Sequence, residues 1–154
     1  MLSKKITTSQ EDYLEAILEL SQISYNVHSK DIADILGVHR STVTASLKSL
    51  SKKNLINYRP YEAVTLTAAG EKLAQKVTKR HKILCHFLIN VLGLNYEDAD
   101  NFACKIEHSV SEEIISKLVF LTDFLEKCPS CDADLIANFK DFCVEKEKNN
   151  EHNA

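Results

Sequence analysis

Three short pieces of this sequence carry metal-binding side chains at helical spacing. Cys104, Glu107 and His108 stand at i, i+3 and i+4, so on a helix all three would project from one face. A thiolate, a carboxylate and an imidazole from one turn make half of a transition-metal site. His81 and Cys85 stand at i, i+4, and Asp12 and Glu15 at i, i+3. His81 also interrupts the apolar stripe Leu73, Val77, Leu84, Leu88 and Val91, and a polar group there needs a partner when buried. Each piece also has a plainer reading. His81 could be a hydrogen-bonded core residue, Glu107 with His108 a surface pair, and each cysteine a small hydrophobe.

A second chemistry lies upstream. Ala33, Gly37 and Val43 have the spacing of a helix-turn-helix: a small residue where helices cross, a glycine at the tight turn, and an inward apolar residue in the second helix. Val43, Leu47 and Leu50 follow i, i+4, i+7 and must face inward. Arg40, Ser41, Thr44 and Lys48 are then forced outward, and Thr42 is counted with them as a DNA-binding candidate. Hydroxyls with an Arg and a Lys suit base edges and phosphates in a major groove. Lys52 and Lys53 at the helix end are expected on phosphates, with Arg59 at the tip of a following hairpin.

These residues need scaffolding. The pattern predicts helices over Ser9–Ser21, Ser29–Leu36 with Ser29 as its cap, and His39–Lys53. A hairpin follows over Leu55–Leu66. Thr67 is expected to cap a long helix to Leu92, which Gly93 ends. Further helices are expected over Tyr96–His108, Ser111–Lys127 and Asp132–Lys146. The expected class is mostly α: an N-terminal winged helix-turn-helix with a short two-stranded wing, then an all-α dimerisation domain. The expected boundaries are 1–70 for DNA binding and 71–146 for metal binding and dimerisation, with a frayed tail over 147–154.

Composition narrows the class. The 154 residues include only 3 Gly and 2 Pro, which favours long helices. The formal net charge is -3, yet Val38 to Tyr61 holds Arg40, Lys48, Lys52, Lys53 and Arg59 and no acidic residue. A local basic strip of this kind fits phosphates better than the net charge suggests. The N-terminus lacks the apolar segment of a secretory signal. The apolar stretch Ile83–Leu94 is too short to span a bilayer. A cytoplasmic protein without membrane contact is expected, its cysteines reduced. Cys128 and Cys131 form a lone CxxC, read first as helix termination and second as a metal or redox clip.

With these pieces in place, the chain resembles the diphtheria-toxin-repressor and manganese-transport-regulator family of metal-dependent repressors. The likeness runs from about Thr8 to Lys127. It rests on Ser9-Gln10-Glu11-Asp12-Tyr13-Leu14-Glu15, Val38-His39-Arg40-Ser41-Thr42-Val43-Thr44, Leu66-Thr67 with Gly70, Arg80-His81, and Ala103-Cys104-Lys105-Ile106-Glu107-His108. The resemblance implies a homodimer that binds divalent metal, then a palindromic double-stranded operator, and controls metal-uptake genes. It implies Asp12, Glu15, His81, Cys104, Glu107 and His108 as ligands. Where iron-type members carry a carboxylate and a His for a second metal site, this chain has Cys85 and Asp100. Asp12 and Glu15 look like the manganese type and Cys104 like the iron type. The expected metal is Fe(II), then Mn(II), with Zn(II), Co(II) and Ni(II) also compatible with thiolate.

Two other classes compete. A metalloenzyme would need an open coordination position, and the sequence has no hydrolase or phosphate-binding motif, so no enzyme is expected. A winged-helix regulator answering to a small molecule or protein partner would leave the Cys and His residues structural, with operator affinity independent of metal.

Overall fold

The computed structural model describes residues 6–24, 26–127 and 135–151. Cys128 and Cys131 lie outside the described residues. Residues up to Lys79 form one compact unit, and those from Arg80 onward form a second.

In the first unit, α1 (Thr8–Ile23) starts at a Thr7 cap whose hydroxyl accepts the Gln10 N–H. Gln10 Oε1 accepts the Thr7 N–H in return, a reciprocal capping pair. α2 (Ser29–Leu36) begins at Ser29 itself, so its cap lies one residue earlier than expected. His28 takes that place, and its N–H donates to Asp31 Oδ2 at 2.9 Å. Gly37 ends α2 in the left-handed region at φ 62°, and Val38 N–H reaches back to the Ala33 carbonyl at 3.1 Å. This closes the last turn and swings the chain into α3 (Arg40–Lys52). Leu14 and Ile17 of α1, Ile32 of α2, and Val43, Leu47 and Leu50 of α3 are fully buried in one core. Truncating such a leucine to alanine costs about 2–5 kcal/mol.

The wing is β1 (Ile56–Asn57) paired antiparallel with β2 (Thr65–Leu66), Ile56 facing Leu66 and Asn57 facing Thr65. Thr67 joins the wing base to α4 (Ala68–His86). Its hydroxyl accepts the Gly70 N–H at 3.1 Å and donates to the Asn54 carbonyl at 2.9 Å, while its N–H donates to the Leu55 carbonyl at 3.0 Å.

In the second unit the chain departs from simple α periodicity. The long helix expected to reach Leu92 widens into a π-helical turn over Phe87–Val91 before Gly93, at φ 78°. α5 spans Tyr96–Ile106 and α6 spans Glu112–Lys127, with the Ser111 hydroxyl accepting the Ile114 N–H. Leu84, Leu88, Ala99, Ala103 and Ile115 form this unit's core. α7 (Leu135–Glu151) remains helical through much of the span expected to fray. Glu145, Lys146, Glu147 and Lys148 are all good helix formers. No helix among the described residues is long and apolar enough to cross a membrane.

Candidate metal centre and DNA-reading face

α4 positions the centre of the second unit. His81 projects toward α5 with its two ring nitrogens facing different acids. Nδ1 lies 2.8 Å from Glu107 Oε2, and Nε2 lies 3.1 Å from Asp100 Oδ1. One turn on, Cys85 Sγ lies 3.3 Å from the same Nε2. One ligand atom each from His81, Cys85 and Asp100 lies within 4.8 Å of the others. The structure thus brings together the two family departures, Cys85 and Asp100, around the expected ligand His81.

The hydrogen-bond pattern bears on what this cluster holds. Both carboxylates are acceptors when ionised, so they are satisfied by a proton on each ring nitrogen. A proton on Nδ1 with a metal ion on Nε2 satisfies them equally well. Glu107 supports the same reading. It is fully buried, and among the described residues its Oε1 accepts no hydrogen bond. His108 Nε2 lies 3.2 Å from that oxygen. A buried carboxylate left short of donors is costly, and a cation is one way to satisfy it. Thiol, imidazole and carboxylate donors at these distances fit a divalent transition metal.

α5 ends at Ile106, two residues short of the expected end, and its cap Glu107 keeps helical φ and ψ of -55° and -34°. The Val110 N–H still reaches the Ile106 carbonyl at 3.1 Å. Arg80 sits at this helix end. Its Nη1 donates to the Glu107 carbonyl at 3.1 Å, and its Nε lies 3.3 Å from Glu112 Oε1. The Arg80 side chain thus satisfies one of the carbonyls that a helix end leaves without an intrahelical partner. Cys104 is exposed and lies outside the His81, Cys85 and Asp100 group, and His108 is in the turn after Glu107. The role of Arg80 left no trace in helical spacing. Its one signal was its place in the Arg80-His81 pair of the resemblance.

In the first unit, Asp12 and Glu15 are half-buried on α1. Arg40, Ser41, Thr42, Lys48, Lys52 and Arg59 are exposed, and Thr44 is half-buried. The Thr44 hydroxyl donates to the Arg40 carbonyl, which leaves its oxygen as an acceptor. Arg59 Nη1 lies 3.7 Å from Glu62 at the wing turn. Lys53 differs from its neighbours: its Nζ donates to Gln10 Oε1 of α1 at 2.6 Å.

Two known domain families cover most of the chain. Residues 5–64 match the iron dependent repressor N-terminal DNA binding domain. Residues 67–135 match the iron dependent repressor metal binding and dimerisation domain. The chain belongs to the iron-dependent repressor family. An HTH-type transcriptional regulator of Methanocaldococcus jannaschii is 36% identical over 124 residues, 79% of this chain and 99% of the relative. The HTH-type transcriptional regulator MntR of Bacillus subtilis (strain 168) is 33% identical over 129 residues, 84% of this chain and 90% of the relative. A solved manganese-dependent transcriptional repressor in complex with manganese superposes with a TM-score of 0.69 at 31% identity. That match covers 75% of this chain and 53% of the solved one, so this chain spans about half its length. The winged helix-turn-helix followed by a helical unit is the fold of this family, and the chain is a metal-dependent transcriptional regulator rather than an enzyme.

Proposed function

We propose that this chain is a repressor that binds a palindromic operator as a homodimer when loaded with Fe(II) or Mn(II), and so controls metal-uptake genes. The observation that carries the reading is buried Glu107, with one oxygen on His81 and the other 3.2 Å from His108 Nε2 yet accepting no hydrogen bond among the described residues. The basic, hydroxylated outer side of α3 supports the DNA partner. The exposed Phe120, Leu121 and Phe124 of α6 and Phe139 and Phe142 of α7 support a second copy.

The proposed ligands are Asp12, Glu15, His81, Cys104, Glu107 and His108, with a second site at His81, Cys85 and Asp100. When bound, a divalent ion supplies the positive charge that these carboxylates otherwise lack. Without it, Asp12, Glu15 and Glu107 bring three like charges to one ligand set, and that repulsion leaves α1 loosely held. With it, α1 and the reading head settle into one placement, which links metal and DNA affinity, commonly by about 1–3 kcal/mol. The thiols of Cys85 and Cys104 favour Fe(II), while the relatives named for manganese favour Mn(II).

Glu107→Ala tests the reading. The variant is expected to bind operator DNA equally weakly with metal and with chelator in an anisotropy titration. Metal-dependent tightening like that of the unaltered chain overturns the assignment.

A further inference from the structure

We infer that Gln10 is a positioning residue that couples α1 to the recognition helix α3. The inference rests on the reading of Asp12 and Glu15 as metal ligands and adds the route by which α1 acts on the DNA-reading face.

Gln10 sits in the first turn of α1, two residues before Asp12, and its side-chain amide uses both ends. Nε2 donates to Ser49 Oγ at 2.9 Å, and Oε1 accepts from Lys53 Nζ at 2.6 Å and from the Thr7 N–H at 3.3 Å. Ser49 is in the last turn of α3, and Lys53 is its cap residue. One side chain therefore joins the start of the helix that bears the proposed ligands to the end of the helix that reads DNA. All three bonds are local to the first unit, 39 and 43 residues apart in sequence for Ser49 and Lys53. The group is half-buried, where hydrogen bonds are less exposed to competition from water. An amide both donates and accepts, so neither a carboxylate nor an apolar chain of equal length reproduces the pair as it stands. The apolar contacts of α1 with α3 through Leu14, Ile17, Leu47 and Leu50 hold the two helices together but tolerate small sliding. The Gln10 bonds are directional and do not. A shift of the first turn of α1 is thus passed to the C-terminal end of α3, re-aiming Lys48 and the residues before it.

The test uses the full chain and a palindromic duplex selected from random DNA by the unaltered chain loaded with Mn(II). Mn(II) affinity is read by electron paramagnetic resonance. Operator affinity is read by anisotropy with chelator and with saturating Mn(II), for the unaltered chain, Gln10→Met and Ser49→Ala. Both variants are expected to keep their Mn(II) affinity within about twofold. The ratio of operator affinities with and without Mn(II) is expected to fall about three- to tenfold. A lowered melting temperature with an unchanged ratio makes Gln10 merely structural and overturns the inference. An unaltered chain whose operator affinity ignores Mn(II), or that selects no duplex, removes the repressor reading and the coupling together. A strong ratio that both variants retain removes the coupling alone.

Discussion

His81 Nδ1 lies 2.8 Å from Glu107 Oε2 while its Nε2 lies 3.1 Å from Asp100 Oδ1, so the two ring nitrogens face different carboxylates. With Nδ1 committed to a buried carboxylate, Nε2 faces Asp100 and Cys85. A carboxylate behind a ligating histidine fixes its tautomer and raises its basicity. At the second site proposed on His81, Cys85 and Asp100, Glu107 would stand in that place behind His81.

The first prediction concerns the thiol. Co(II) bound through sulfur shows intense thiolate-to-metal charge-transfer absorption in the near ultraviolet. Cys85→Ser is expected to remove the part of this band that survives in a Cys104→Ser background. An unchanged band in the double variant would take Cys85 out of the ligand set.

The second concerns stability without metal. Glu107→Gln keeps a carbonyl oxygen for His81 and removes a buried charge whose Oε1 lies 3.2 Å from His108 Nε2 but accepts no hydrogen bond among the described residues. Its metal-free melting temperature is expected to equal that of the unaltered chain or to exceed it by about 2–4 °C, as roughly 1 kcal/mol would give. The rise on adding Mn(II), which comes from binding to the folded state only, is expected to vanish. Calorimetry with and without Mn(II) measures both. A metal-free melting point several degrees lower would mean that the carboxylate is already satisfied without a cation.

The third concerns the seam between wing and α4. A Cβ at Gly70 would lie 1.8 Å from the Leu55 carbonyl oxygen and 2.8 Å from its carbon. Both are backbone atoms that cannot swing aside. Gly70→Ala is expected to cost about 1–3 kcal/mol in denaturant unfolding, with weaker operator binding because the wing base moves. Full stability in the variant would show that the α4 start yields freely.

Much of this was legible from the sequence because the signals were local. Gly37 after Leu36 announced a left-handed helix end, and Val43, Leu47 and Leu50 announced an inward stripe. Both features are present, with Gly37 at φ 62° and all three apolar residues fully buried. His81 stood out by interrupting an apolar stripe, and it is the hub of the cluster. What escaped was set by contacts between distant residues. Arg80, 27 residues upstream, donates to the Glu107 carbonyl at the end of α5, a contact that spacing within α5 does not announce. Thr7 and Gln10 have the spacing of a capping box, yet nothing local shows that Gln10 also reaches Ser49. The π-helical turn at Phe87–Val91 lies in a mostly apolar stretch, broken by Asn90, whose period does not distinguish it from α-helix.

The central claim is that metal and DNA binding are linked. Its most direct test is an anisotropy titration of the selected palindromic duplex at fixed salt, first with chelator and then with anaerobic Fe(II) or Mn(II). Salt is held fixed because phosphate contacts make the affinity steeply salt-dependent. The account predicts that either metal tightens binding by about tenfold or more, equivalent to about 1.4 kcal/mol of coupling. Equal affinity with chelator and with both metals would contradict it.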